Sequence, residues 1–381
     1  MATPSVSDLR DQVRTWLGRT EVPRLSGEAG ERFAQQREWQ RRLYDAGLLG
    51  AAWPVEFGGR GLTALHQVAV TTELVRHHAP PPVGEIGLEI VGPTILTFGS
   101  DEQRAELLPR ILSGEDIWCQ GFSEPEAGSD LASLRTTAVE SGEVFIVNGQ
   151  KTWSSYAKHA TKCALLARTD PAASPQHRGI SYLLIDLHLD GIEVRPIVQL
   201  TGADEFAEIF FTDVAVPISA LLGERNRGWH YTMHTMSHER GPYVLKRQAE
   251  LALMFDAVVT ALAGQPGADR WAAEIGRQRV VLDALSAQSD RTADRLARGV
   301  GPAAEDSVDK LALTAADQSL TGAFATLAAG SRTVPSGRPH GLDAGRLTED
   351  YYFGRASSIY GGTGQIQRNI VAERLLGLPK G

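Results

Sequence analysis

The sequence is poor in cysteine, with only Cys119 and Cys163 among 381 residues. That is too few for a disulfide scaffold or a cysteine-rich metal site, and it fits a reducing compartment, so a cytoplasmic location is expected. No uninterrupted apolar run is long enough to span a membrane. The first twenty residues carry Arg and Asp and no apolar segment, so no signal peptide is expected. Positive charge is also scarce: 38 Lys and Arg face 46 Asp and Glu, a formal net charge of -8. A nucleic-acid partner is therefore not expected, because such footprints are basic. An anionic ligand in a local cationic pocket remains compatible with that balance. No Gly-x-Gly-x-x-Gly follows a strand, and neither Gly-x-x-x-x-Gly-Lys-Ser/Thr nor Gly-x-Ser-x-Gly occurs. These absences set aside dinucleotide-fold, P-loop and nucleophile-elbow readings.

What is present is ordinary for a globular chain of two or three domains, with 42% hydrophobic and 22% charged residues. Three zones differ in period. Residues 1–117 read as a helical domain, with Leu9, Val13 and Leu17, then Phe33, Trp39 and Leu43, at helical spacing. Gly47 is placed as a helix stop, and Ser100 as the cap of a helix over Asp101–Ser113. Residues 118–227 read as a β-domain, a small barrel or sandwich. Its strand signals are Val144–Val147, Cys163–Leu166, Ile180–Ile185 and Glu208–Phe211, and Asn148-Gly149 predicts a hairpin turn. Residues 228–381 return to helical patterns and predict a bundle, with Leu313, Leu320, Phe324 and Leu327 on one apolar face. The stretch Gly330–Gly345 reads as a loop.

Three stretches have the composition of a ligand site. In Trp118–Leu134, Gly128 allows close backbone approach, and Ser123 and Ser129 offer hydrogen bonds; a plain Gly-rich loop is the competing reading. In Asn148–Tyr156, Trp153 offers an aromatic wall and Ser154 and Ser155 offer donors for a planar ring; a packing Trp is equally compatible. In Tyr360–Pro379, a Gly-rich turn feeds a helix whose first N–H groups can meet a phosphate, or it is a simple helix start. His230, His234 and His238 share a helix face, but no carboxylate cluster or Cys accompanies them, so they read as packing or surface residues rather than a metal site.

Together these stretches resemble the acyl-CoA dehydrogenase family over nearly the whole chain. The resemblance rests on Trp-Pro-x-Glu-Phe-Gly-Gly-Arg-Gly at Trp53–Gly61, Ser-Glu-Pro-Glu-Ala-Gly-Ser-Asp at Ser123–Asp130 and Gly-Gln-Lys-Thr-Trp-Ser-Ser at Gly149–Ser155. It continues through Thr201–Phe211 and Tyr-Gly-Gly-Thr-Gly-Gln-Ile-Gln-Arg at Tyr360–Arg368. The implied fold is an N-terminal helical domain, a middle β-domain and a C-terminal four-helix bundle. The implied cofactor is FAD, bound between β-domain and bundle. Residues Gln120, Phe122, Ser123 and Ser129 would line the flavin and the thioester, with Ser129 near the CoA-bearing part of the substrate. Trp153 would lie against the isoalloxazine, and Ser155 (or Ser154) would bond its reactive edge. Gly362, Thr363 and Gln365 match positions that contact the FAD of a neighbouring subunit.

The implied reaction removes a proton beside the thioester carbonyl and passes a hydride to the flavin, which needs a carboxylate and donors to the carbonyl oxygen. Many family members carry that Glu directly after the Tyr of the C-terminal motif, where this chain has Gly361. The Gly361 N–H can still donate to the carbonyl oxygen. In isovaleryl-CoA dehydrogenase-like and long-chain members the base comes from a Glu-Arg pair on the first bundle helix, and Glu239-Arg240 stands at that place. The resemblance therefore implies Glu239 as base, Arg240 as its electrostatic neighbour and electron-transfer flavoprotein as acceptor. Gly241-Pro242 predicts a helix break beside Glu239. The region Arg270–Arg279 lacks the Arg-x-x-Phe-Gly clamp for a partner's FAD. This loss resembles two-chain members acting on steroid side chains, so a homo- or hetero-oligomer is expected. An acyl-carrier-protein thioester is an alternative substrate to acyl-CoA. A non-catalytic subunit and an oxidase or monooxygenase on the same fold are the alternative functions.

Overall fold

The computed structural model describes residues 3–298, 303–330 and 344–379, with the side chains of 237–242, 329–330 and 344 outside the description. The chain divides into two compact units, Met1–Gln67 with Ala79–Glu239, and Val68–His78 with Arg240–Gly381. Helices α1 (Val6–Leu17), α2 (Ala29–Asp45), α3 (Ala64–Arg76), α4 (Gly92–Phe98) and α5 (Asp101–Ser113) come first. The apolar stripe of α1 is buried at Leu9, Val13 and Leu17, as the spacing predicts. Helix α5 has its expected bounds because both ends are specified locally. Ser100 and Gln103 form a reciprocal capping box, and Gly114 closes the helix with φ 73°.

The middle segment is one curled seven-stranded sheet. Its strands are β1 (Trp118–Gly121), β2 (Thr137–Ser141), β3 (Val144–Ser155), β4 (Lys162–Arg168), β5 (Ile180–Asp186), β6 (Ile192–Ile197) and β7 (Phe206–Pro217). The order is β1-β4-β2-β3-β7-β6, with β5 paired to β4. Phe145, Val147, Leu165, Leu183, Ile209 and Phe211 fill its core, each burial contributing about 1.5–3 kcal/mol.

The hairpin expected at Asn148-Gly149 is absent. Strand β3 runs straight through it, and the turn between β2 and β3 falls at Gly142, with φ 63°. Asn148 is used inside the sheet instead. Its Nδ2 donates to Asp213 Oδ1 at 3.0 Å and its Oδ1 accepts from Asp213 N at 2.9 Å, at a bulge between β3 and β7. Gly149 is required there, since a Cβ would lie 2.7 Å from Thr136 Cα. Two cross-strand hydrogen bonds thus override a local turn preference.

The second half carries α6 (Gly228–Leu262), α7 (Ala272–Ala297), α8 (Asp306–Gly330), α9 (Ala344–Ala356) and α10 (Gly364–Ile370). Leu313, Leu320, Phe324 and Leu327 are buried as one face. The same helix also buries charge. Asp317 accepts from Arg247 of α6 at 2.8 Å, and Arg295 of α7 pairs with Asp306 and Asp309. The break expected at Gly241-Pro242 does not occur, because α6 is a single helix across it. Pro242 costs one ladder bond, to the carbonyl of His238, and the turns on either side carry the helix on. Of the expected Gly330–Gly345 loop, residues 331–343 lie outside the described residues, and Gly345 belongs to α9. Among the described residues no helix is long and apolar enough to cross a membrane.

Candidate functional site

One group of candidate residues is built on β1, β3 and the loop between β1 and β2. Gln120 is half-buried on β1, and Phe122 is buried edge-on to Tyr182 at 5.8 Å. The loop that follows is anchored by a pair that sequence reasoning missed, Glu124 and Lys151. Lys151 is fully buried, and its Nζ donates to Glu124 Oε1 at 2.8 Å and to the Phe122 carbonyl at 3.1 Å. Glu124 also accepts from the N–H groups of Arg135 (2.6 Å) and Thr136 (2.9 Å). Burial lowers the Lys151 pKa to about 8, although Glu124 pulls the other way. Burial raises the Glu124 pKa, but the Lys151 ammonium and the hydrogen bonds outweigh it and hold the carboxyl below its ordinary value. Thr152 N donates to the Ser123 carbonyl at 2.9 Å. The loop is therefore tied to β3, with Ser123 half-buried and Ser129 exposed.

Beside this anchor a second bulge falls between Lys151 and Ser154, this one on β3. Two residues there oppose one on β7, and the extra residue turns outward. Trp153 takes a left-handed φ of 59° and is 59% exposed, touching Phe206 edge-on at 6.0 Å. A left-handed Trp is costly, of order 1–2 kcal/mol, and an exposed indole gains little burial in return. The neighbouring Ser154 is buried, and its hydroxyl has no hydrogen-bond partner among the described residues. Ser155 is half-buried. An exposed flat ring, an orphaned hydroxyl and an open Gly128, whose missing Cβ would meet nothing within 4 Å, fit a planar heteroaromatic ligand.

A second group lies in the C-terminal helical segment. The Tyr360 and Tyr243 hydroxyls meet at 2.6 Å, with Lys310 Nζ 4.0 Å from the centre of the Tyr360 ring. Burial pushes the Tyr243 pKa well above the ordinary tyrosine value. Gly361 and Gly362 both take left-handed backbone, φ 64° and 91°. Thr363 caps α10 by accepting from Ile366 N at 3.3 Å. Gln365 is exposed, whereas Gln367 is completely buried and its Nε2 donates to the carbonyls of Gly361 (2.8 Å) and Gly362 (3.3 Å). Sequence reasoning also missed Gln367. Its only signal is a Gln one helical step beyond a Gly-Gly turn.

Glu239 and Arg240 lie on α6, and their side chains fall outside the described residues. His238 falls with them, while His230 and His234 pack against Phe98 at 5.5 and 4.9 Å. Arg270 belongs to a 3-10 turn before α7 and stacks on Trp271.

The comparisons with known proteins cover the whole chain. Residues 3–115, 119–214 and 226–376 match the sequence models of the acyl-CoA dehydrogenase N-terminal, middle and C-terminal domains. The chain is 39% identical to the acyl-CoA dehydrogenase IpdE1 of Mycobacterium tuberculosis, over 98% of each chain. Among solved structures it is similar to the Tcur3481-Tcur3483 steroid ACAD, with TM-score 0.85 and 27% identity over 100% of this chain and 99% of that one. It is also similar to the ChsE4-ChsE5 complex of Mycobacterium tuberculosis, with TM-score 0.81 and 28% identity over 100% and 99%.

Proposed function

The chain belongs to the acyl-CoA dehydrogenase family, and from that premise we propose that it is an FAD-dependent enzyme converting an acyl-CoA to its trans-2-enoyl thioester. The domains we assign are residues 1–117, 118–227 and 228–381. Membership implies a flavin, and the observation that carries FAD binding is Trp153, held exposed and left-handed beside the orphaned Ser154 hydroxyl. Trp153 would form the wall for the ring system, and Ser155 or Ser154 its hydrogen-bonding edge. Gln120, Phe122 and Ser123 would complete that side, and Gly362, Thr363 and Gln365 would contact the cofactor of a neighbouring subunit. FAD bound there supplies the two-electron acceptor.

The chain's own residues supply the rest. Glu239 takes the proton from the carbon beside the thioester carbonyl, with Arg240 keeping it ionised. Negative charge then develops on the carbonyl oxygen, and the Gly361 N–H donates to it; one such donor is worth about 3 kcal/mol of barrier. Ser129 would meet the CoA-bearing part. The absence of a side chain at 361 would leave room for a branched or bulky acyl group, in keeping with a relative described as a steroid ACAD. Electrons leave to an electron-transfer flavoprotein. The chain would work as a homo- or hetero-oligomer, and an acyl-carrier-protein thioester is the variant substrate.

The test is the visible spectrum of the purified chain during anaerobic titration with a panel of acyl-CoAs. Bound flavin that bleaches with a thioester supports the assignment. Glu239→Gln should retain flavin and lose turnover, and undiminished turnover would sink the base assignment. A chain without flavin that gains it only from a second chain would instead be a non-catalytic subunit. That reading is favoured by the missing Phe-Gly after Arg270. Oxygen uptake with substrate would indicate an oxidase.

A further inference from the structure

The N–H assigned to the thioester carbonyl belongs to a glycine followed by another glycine, the softest backbone a chain can offer. A donor aimed at a developing charge works through preorganisation, so something must hold it. Gln367 is completely buried, and both of its amide hydrogens are directed at this turn, one to the Gly361 carbonyl at 2.8 Å and one to the Gly362 carbonyl at 3.3 Å. The orientation of that amide is forced. Turned over, its oxygen would face two carbonyl oxygens. The arrangement leaves Gln367 Oε1 buried and without a partner among the described residues, a cost that helix packing alone gives no reason to accept. Gly362 is fitted to the same contact, since a Cβ there would stand 2.5 Å from Gln367 Nε2.

On the other side of Gly361, the Tyr360 ring is fixed by the Tyr243 hydroxyl at 2.6 Å and by Lys310 over its face at 4.0 Å. Tyr243 lies four residues beyond Glu239 on α6, one helical turn away. The peptide plane that carries the Gly361 N–H is therefore clamped from both ends. Before it stands a tyrosine tied to the base helix, and after it stand two carbonyls gripped by one amide.

We propose that Gln367 is a positioning residue for catalysis, which with the Tyr243–Tyr360 hydroxyl pair sets the direction in which the Gly361 N–H meets the thioester carbonyl. The inference rests on the assignment of that N–H to the carbonyl oxygen. Gln367 touches neither substrate nor cofactor; it acts through the turn.

The experiment uses the flavin-loaded enzyme, in its complex if it has one. The probe is the 3-thia analogue of whichever acyl-CoA bleaches the wild-type flavin, labelled with carbon-13 at the carbonyl. A hydrogen bond to the carbonyl moves its infrared stretch to lower wavenumber than in buffer, and this shift is the readout. The wild type should show it. In Gln367→Met, which keeps the shape and removes both donors, the shift should at least halve. Its kcat should fall about tenfold or more, with KM and flavin content little changed. Tyr360→Phe should act in the same direction. A shift and kcat that survive Gln367→Met overturn the proposal while leaving the carbonyl assignment intact. No shift in the wild type overturns the carbonyl assignment itself, and the proposal with it. If Gln367→Met does not fold, Gln367→Glu carries the test. Its carboxyl regains one donor when protonated, so the shift should return as pH is lowered, and a wild-type shift at every pH overturns the proposal.

Discussion

Replacing Glu124 by Gln tests the buried anchor under the loop between β1 and β2. The substitution keeps the shape, removes the carboxylate bonded to Lys151, and presents an amide to groups that are all donors. Removing one partner of a buried pair costs about 3–5 kcal/mol. A second route gives the same size. An orphaned lysine escapes its buried charge by releasing the proton, and at pH 7.5 this costs about 4 kcal/mol for a group that holds it to 10.5 when unfolded. A loss of 3–4 kcal/mol lowers the first unfolding transition by about 10 °C. The sign of the pH dependence then separates mechanisms. In the variant the unfolded chain binds a proton that the folded chain does not, so its stability rises with pH. The wild type keeps its Lys151 proton until about pH 8 and gains nothing from this group below that value. The gap should therefore narrow between pH 7 and 8 by about 1.4 kcal/mol. The assay is denaturant unfolding at both pH values, with Glu124→Gln/Lys151→Met as the control in which no charge is buried. A gap under 1 kcal/mol, or one indifferent to pH, would refute the reasoning.

Two further outcomes are expected. Trp153→Gly removes a left-handed strain of order 1 kcal/mol from a residue 59% exposed, so the melting temperature of the flavin-free chain should hold or rise while flavin affinity falls; loss of both together would contradict the wall assignment. Gly149→Ala drives a Cβ to within 2.7 Å of Thr136 Cα, a backbone clash that should cost more than about 2 kcal/mol, and a melt within 1 °C of wild type would count against it.

Legibility from sequence followed the range over which each feature is decided. Helix α5 was readable to its ends because Ser100, Gln103 and Gly114 lie within it or beside it. Asn148-Gly149 misled because its turn preference is local, while its use is set by Asp213 on a distant strand. Pro242 misled in the opposite sense, as one lost bond was outvoted by a helix of 35 residues. Composition offered the stretches around Trp153 and Gly361 as candidate ligand sites, with a packing Trp and a simple helix start as the competing readings. Which of their residues are buried was not readable. Lys151 and Glu124 look like surface charges in a sequence, since most such residues are exposed. Gln365 and Gln367 differ only in helical phase, and that phase is fixed by what surrounds α10. The sequence offered no signal for the orphaned Ser154 hydroxyl, because only the bulge beside it decides which face that serine takes.

The charges buried on α8 have a mechanical consequence. Ala- and Leu-rich helices present nearly the same surface after every turn, so apolar packing alone would let one slide along another at little cost. Asp317 answers to Arg247 on α6, while Asp306 and Asp309 answer to Arg295 on α7. A slip of α8 by one turn, about 5.4 Å, would strand charges against both neighbours, each at about 3–5 kcal/mol. Ion pairs to two different helices thus act as an indexing device. They admit one axial setting of α8 and refuse the next in either direction.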